Sequence, residues 1–99
     1  MTTQKVTMTI DRDGDKVWHN ADGKLHRDGG PAIIFTDGSQ VWYQNGNCHR
    51  DNGPAAIWTN GSHWWYFNDI RYSNIDEWAI AVGIIDTPTY TLIKMEYYK

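Results

Sequence analysis

The chain has 99 residues, which is enough for one domain with one modest core. Apolar residues make up 40% of it, and the aromatic side chains comprise six Trp, six Tyr and two Phe, so the composition favours a small folded domain over a disordered chain. The formal charge of −3 argues against a generic nucleic-acid or phosphate-binding surface, which needs clustered Lys and Arg.

Cysteine content and apolar runs bear on the location of the protein. Cys48 is the only cysteine, so no disulfide can form within the chain, as is typical of a reducing cytosol. The first residues lack the apolar run of a signal peptide, and the longest apolar stretch, 78–85, is too short to cross a bilayer. These features predict a cytoplasmic protein without a membrane partner.

A repeat of 23 residues dominates the middle of the chain. Of the 21 positions from Gly23 to Tyr43, 13 are identical 23 residues later, including the segment His-Arg-Asp-x-Gly-Pro-Ala that starts at His26 and again at His49. A partial unit precedes them, because residues 13–14 and 17–18 match 37–38 and 41–42 at a spacing of 24. After Tyr66 the pattern decays, as is usual for the terminal copy of a repeat array.

Each unit predicts a β-hairpin. Residues 32–35 are apolar and prone to form strands, Asp37-Gly38 supplies the positive φ that a tight turn requires, and residues 40–43 form the return strand. Asn45-Gly46 turns the chain again, and the prolines at 31 and 54 mark strand starts or edges. The predicted hairpins cover 5–19, 31–44 and 54–67.

The C-terminal segment changes character. Ser73 or Asn74 is placed to cap a helix whose apolar residues recur at helical spacing up to Val82, and Gly83 can end it. Residues 90–98 alternate well enough to predict a final strand. We therefore expect one mainly β (α+β) domain over 1–99. Tandem hairpins at 5–72 form a single twisted antiparallel sheet, and a short helix and a final strand follow at 73–99.

From Trp42 to Gly53 the sequence reads Trp-Tyr-x-Asn-Gly-x-x-His-Arg-x-x-Gly, and Asn60-Gly61 and Trp65-Tyr66 follow. This pattern, over about residues 5–82, resembles the MORN (membrane occupation and recognition nexus) repeat. With its His-Arg-Asp-x-Gly-Pro-Ala segment it resembles the MORN-like repeat proteins of tailed bacteriophages. The resemblance implies hairpin repeats that serve as contact surfaces. The usual Tyr-x-Gly element is missing, so no lipid-binding role is expected.

The His-Arg-Asp triplets do not predict catalysis. They repeat in register with Gly-Pro-Ala, so Arg27 and Arg50 are expected to hydrogen-bond carbonyl groups of the segment between hairpins. A 99-residue chain without a glycine-rich phosphate loop cannot hold a kinase. We predict that the protein is not an enzyme.

Metal binding is not predicted either. A zinc site normally pairs ligands at spacings such as Cys-x2-Cys, and no such pair occurs among the candidate ligands His19, His26, His49, His63 and Cys48. Two stacked histidines, His26 and His49, are more often packing. The acidic residues at 11, 13 and 15 are those of a solvated turn. We expect no metal and no cofactor.

Positions that differ between the two full units are free to serve a partner. Phe35 becomes Trp58, Gln40 becomes His63 and Val41 becomes Trp64. An exposed aromatic cluster of this kind is typical of a protein–protein hot spot. The alternative is that Trp58 or Trp64 packs with Trp78 under the C-terminal helix. The predicted partner-binding residues are Phe35, Gln40, Trp58, His63 and Trp64.

These observations predict a non-enzymatic protein-binding module. The phage resemblance implies a small accessory protein that binds and inhibits a host protein, such as a CRISPR-Cas or other immune effector, in the bacterial cytoplasm. One alternative is a self-associating structural repeat that dimerises through its sheet edge or aromatic face. Another is a binder of single-stranded nucleic acid by stacking, which needs a basic track that the nine scattered Lys and Arg do not provide.

Overall fold

A computed structural model describes residues 5–98, and within this range the chain forms nine strands and two helices. Their bounds are β1 Val6–Ile10, β2 Lys16–Asn20, β3 Ile33–Ile34, β4 Gln40–Val41, β5 Tyr43–Gln44, β6 Asn47–Cys48, β7 Ala56–Ile57, β8 His63–Phe67, β9 Ile70–Tyr72, α1 Ile75–Val82 and α2 Pro88–Tyr97. The mainly β, α+β fold is confirmed.

The strands follow the predicted hairpins. Within the described residues an antiparallel sheet runs in the order β1-β2-β3-β4-β7-β8-β9. The prediction of a single sheet is incomplete, because β5 and β6 pair as a separate two-stranded sheet. Asn45 and Gly46 have φ of 50° and 84°, so two consecutive left-handed residues turn this short hairpin, as the Asn-Gly pair predicts.

Side chains in the turns tie one hairpin to the next. The Asp15 carboxylate accepts a hydrogen bond from the Thr36 N–H at 3.0 Å. One unit later, the Ser39 hydroxyl accepts from the Thr59 N–H at 3.2 Å. Asp15 and Ser39 are both buried, so these bonds satisfy backbone donors at the same place in successive units. The spacing between hairpins is fixed at this end of the sheet.

An indole occupies the equivalent position in each of the three units, Trp18, Trp42 and Trp65. The guanidinium carbon of Arg27 lies 4.0 Å from the Trp18 ring centroid, and that of Arg50 lies 4.0 Å from the Trp42 centroid. These are cation–π contacts. The repeated arginine therefore covers the repeated tryptophan.

In the third unit a residue of α1, and not an arginine, covers the repeated tryptophan. Ser73 stands 23 residues after Arg50, where another arginine would be. Trp78 of α1 instead packs on Trp65, with ring centroids 4.7 Å apart. Both indoles are buried, and with Ile75, Ala79, Tyr90 and Ile93 they form the core between the sheet and the helices.

The helix α1 begins and ends where the sequence predicts. Asn74 is the cap, since its side-chain oxygen accepts from the Glu77 N–H at 2.9 Å. Gly83 ends the helix at φ 91°, and its N–H bonds to the carbonyl oxygens of Ala79 and Ile80. Of the two predicted caps, Ser73 is not the one used.

The prediction of a final strand over 90–98 is wrong, because Pro88–Tyr97 is the helix α2. The Thr87 hydroxyl caps it by accepting from the Tyr90 N–H at 3.2 Å. Pro88 occupies the first turn, where its fixed φ suits a helix and its missing N–H costs nothing. Tyr90, Ile93 and Tyr97 then pack against the core. The spacing of these three residues, three and then four positions, is that of a helix face. The strand prediction rested instead on a rough alternation of apolar and polar residues in the same segment.

Candidate functional site

The register of the sheet sorts the predicted partner-binding residues onto two faces. Val41, Ala56 and Trp64 lie in one row across β4, β7 and β8, whereas Gln40, Ile57 and His63 lie in the next row. Neighbouring residues of a strand point to opposite faces. The first row therefore belongs to one face and the second row to the other.

Three of the predicted residues come together on the first face. The ring centroids of Phe35 and Trp58 are 6.1 Å apart, and those of Trp58 and Trp64 are 5.0 Å apart. Each is half-buried. They line an open groove of about 290 Å³. Its other lining residues are Ile33, Val41, Tyr43, Cys48, Ala56, Tyr66 and Asp69. We call this surface the aromatic groove.

The other two predicted residues do not belong to the aromatic groove. His63 contacts Tyr97 of α2, with ring centroids 5.2 Å apart, and Gln40 lies in the same row as His63. The alternative in which Trp58 or Trp64 packs with Trp78 is wrong. Trp65 is the residue that α1 covers, since it points to the opposite face from Trp64.

Sequence comparison between units missed Tyr43 and Tyr66, which line the aromatic groove. They are identical in the two units, so a comparison that selects differing positions does not select them. The alternation of side chains along a strand could have found Tyr66, because it lies two residues after Trp64 in β8. A repeated position can thus serve both the fold and the surface.

A hydrogen-bonded link closes one end of the aromatic groove. The Cys48 N–H donates to the Asp69 carboxylate at 3.1 Å, and the Asp69 N–H donates to the Cys48 carbonyl oxygen at 2.9 Å. Burial, and then the nearby Asp69 charge, raise the pKa of the Cys48 thiol to about 12. Burial is also the main cause that raises the pKa of Tyr43. Cys48 therefore lines the aromatic groove as a neutral thiol and is not a nucleophile at neutral pH.

Charged and polar groups border the apolar surface. The Arg71 guanidinium lies over the Trp64 ring, 4.3 Å from its centroid. The indole Nε1 of Trp58 is buried without a hydrogen-bond partner among the residues that the structure describes. An unsatisfied buried donor costs roughly 1–3 kcal/mol.

The His-Arg-Asp triplets have structural contacts. Arg27 donates to the Pro31 carbonyl oxygen at 3.2 Å and Arg50 to that of Pro54 at 3.0 Å, as their repetition predicts. A Cβ added at Gly53 would lie 2.7 Å from the guanidinium carbon of Arg50. A side chain at this glycine would therefore have to displace the arginine from its contacts with the carbonyl oxygen and the indole ring.

The two histidines serve as acceptors and do not share a site. His26 Nδ1 accepts from the Asn45 N–H at 3.0 Å, and His49 Nδ1 accepts from the Asn68 N–H at 2.9 Å. Each one fixes the turn of its own unit. The Nδ1 atom of each ring is thus used to hold a backbone N–H of a turn.

A larger cleft of about 440 Å³ lies between the two triplet segments. Its cationic lining groups, Arg27 and Arg50, are each held by a carbonyl oxygen and an indole ring. Asp28 and Asp51 also line it, so opposite charges offset one another. This cleft is the less suited of the two to select a partner by charge or by apolar burial.

The acidic turn at the start of the sheet has a local explanation. Single carboxylate oxygens of Asp11, Asp13 and Asp15 lie within 4.8 Å of one another. The Asp11 carboxylate accepts from the N–H groups of Asp13 and Asp15 at 3.0 and 2.9 Å. The Asp11 carboxylate thus holds backbone groups of its own turn, and the Asp15 carboxylate holds the Thr36 N–H of the next hairpin.

Comparison of the chain with protein-family models, curated proteins and solved structures finds no match. Among the described residues, neither helix has the length and apolar content needed to cross a bilayer. Fold and site define the class: a β-hairpin repeat protein with two helices on one face of its sheet and an aromatic groove on the other.

Proposed function

We propose that this chain is a non-enzymatic protein-binding module whose aromatic groove receives an apolar side chain of a partner protein. One observation carries the proposal: Phe35, Trp58 and Trp64 lie half-buried around an open groove, on the face opposite the helices. Aromatic residues around a small depression form the usual anchor site of a protein interface.

The size of the aromatic groove favours a side chain as its occupant. A volume of about 290 Å³ lies at the lower limit of small-molecule sites and suits one or two apolar side chains. Arg71 and Asp69 at its border match the polar rim that surrounds an apolar interface centre.

The contacts of the reactive residues support a binding role over catalysis. His49 and Arg50 hold turns, and the neutral Cys48 thiol is a wall residue. Arg27 and Arg50 stack on indole rings, so these two cations are not free to form a basic surface for the phosphate groups of a nucleic acid. Inhibition of a bacterial immune effector follows only from the phage resemblance and stays a prediction.

The experiment uses proteins captured from bacterial cells by the tagged chain and identified by mass spectrometry. Each purified candidate is then titrated by calorimetry with the wild-type chain, Trp64→Ala and His63→Ala. Trp64 and His63 are neighbours in one strand with side chains on opposite faces, so His63→Ala is the matched control. We expect Trp64→Ala to weaken binding at least about tenfold and His63→Ala to leave it within about twofold. Equal losses in the two variants would contradict the proposal.

A further inference from the structure

The strand β1 forms an open edge of the sheet. In the described part of the chain it pairs with β2 alone. Its sequence, Val-Thr-Met-Thr-Ile, contains none of the charges, prolines or glycines that usually protect an edge. The Met8 and Ile10 side chains are 45% and 64% exposed. An unprotected edge of this kind is a template for another strand.

Alternate residues of β1 direct their backbone groups to the open side. Met8 lies opposite Trp18, and Trp18 gives its N–H to the Ala32 carbonyl oxygen, away from β1. Opposite residues of an antiparallel pair alternate between bonded and non-bonded pairs. The N–H and C=O groups of Val6, Met8 and Ile10 therefore point away from β2, whereas Thr7 and Thr9 bond to it.

We propose that β1 pairs with β1 of a second copy of this chain, antiparallel and centred on Met8, so that two sheets join into one. In this register Met8 faces Met8 of the second copy, and Val6 faces Ile10 of the second copy. All outward backbone groups of these residues are then satisfied in bonded pairs. The contact is self-complementary, as a two-fold dimer requires.

Charge selects the same register. Lys5 and Asp11 lie three residues before and after Met8, so each Lys5 is opposite Asp11 of the second copy, an attractive cross-strand pair. A slip of one residue would set Met8 opposite Thr7 or Thr9 of the second copy, whose backbone groups already bond to β2. The neutral strand and its oppositely charged ends therefore specify one alignment.

The dimer continues an apolar row that the single chain leaves exposed. Val6, Met8 and Ile10 alternate with the threonines and share one face of the sheet with Trp18, opposite Met8. Two-fold pairing sets the same three residues of the second copy beside them. The edge is distinct from the aromatic groove, whose lining contains no residue of β1, so dimerisation leaves that groove open.

The first test is sedimentation velocity of the wild-type chain and Met8→Pro at concentrations up to about 1 mM. Proline at position 8 removes an outward N–H that β2 does not use, so the variant keeps the intramolecular sheet, which circular dichroism checks. We expect a concentration-dependent wild-type dimer and a folded, monomeric Met8→Pro. A wild-type chain that stays monomeric at about 1 mM, or a dimeric Met8→Pro, would overturn the proposal.

A charge variant tests the register even if Met8→Pro does not fold. Lys5→Glu sets two acidic groups opposite each other, and we expect it to raise the dimer dissociation constant at least about tenfold at low salt. Arg12→Glu makes the same change of charge in the adjoining turn, outside β1, and should change the constant less than about twofold. Equal effects of the two variants would contradict the Met8-centred register.

Discussion

The indole N–H of Trp78 donates a hydrogen bond to the carbonyl oxygen of Arg50, 3.1 Å away. The same Trp78 ring packs on Trp65, so one residue of α1 is joined both to the last triplet segment and to the last repeated indole. Through Trp78 the helix ends the repeat, in the position where the earlier units use an arginine.

Trp78→Ala is expected to destabilise the fold by about 3–5 kcal/mol, because it empties the centre of the helix-side core. Trp78→Phe keeps most of the volume but leaves the Arg50 carbonyl oxygen without the indole donor, which costs about 1–3 kcal/mol. Urea unfolding measures both. Ile80→Ala, at an exposed position of the same helix, is the control and should change stability by less than about 0.5 kcal/mol. A cost for Trp78→Ala no larger than that of Ile80→Ala would be incompatible with this core.

Gly53→Ala tests the close approach of Arg50. The added methyl group would meet the guanidinium at 2.7 Å, so we expect a loss of about 1–3 kcal/mol in the free energy of unfolding. In an Arg50→Ala background the same change should cost less than about 0.5 kcal/mol, because the obstructing group is gone. A cost that is equal in the two backgrounds would show that Arg50 is not the cause.

Asn74→Ala removes the cap of α1 and is expected to cost about 1 kcal/mol, since the Glu77 N–H loses its acceptor. Ser73 is exposed, and its hydroxyl donates to the Glu77 carboxylate at 3.1 Å, so Ser73→Ala should cost less than about 0.5 kcal/mol. Thermal unfolding of the two variants decides between them. The reverse order would identify Ser73 as the cap.

Because burial raises the pKa of the Cys48 thiol, we expect the free energy of unfolding to fall at alkaline pH. Burial raises its pKa from 9.0 to about 12 in the folded chain, so the folded state holds this proton more tightly than the unfolded state does. Its contribution is fully present below pH 9.0 and is lost as the pH rises toward about 12. Unfolding free energies of the wild type and Cys48→Ala should therefore converge as the pH increases above 9.0, while groups common to both chains cancel. A difference that does not vary with pH would contradict a protonated, buried thiol.

Local chemistry made most of the fold predictable from the sequence. The Asn-Gly and Asp-Gly turns, the Asn74 cap and the Gly83 end follow from backbone preferences of single residues. The sequence does not predict α2, because a Thr-Pro pair such as Thr87-Pro88 suits both a chain break and a helix start. Tyr90 and Ile93 form the buried face of α2 by packing in one core with Trp65 and Trp78, and this packing cannot be read from the segment alone.

The aromatic groove was only partly predictable. Comparison between units identified Phe35, Trp58 and Trp64, because substitution at otherwise repeated positions marks them. It also selected Gln40 and His63, which strand alternation places on the opposite face. Which indole the helix covers depends on the register of β8 with β7 and β9, and this pairing of distant residues is not encoded in the repeat alone.

The most direct test of the binding face is a two-dimensional NMR titration of the indole N–H signals with the purified partner. Trp58 and Trp64 lie in the aromatic groove, whereas Trp78 lies in α1 on the other side of the sheet, so the indole signals report on the two sides separately. We predict that the signals of Trp58 and Trp64 shift on binding while those of Trp18, Trp42 and Trp78 stay in place. Shifts confined to Trp18, Trp42 or Trp78, with Trp58 and Trp64 unchanged, would contradict binding at the aromatic groove.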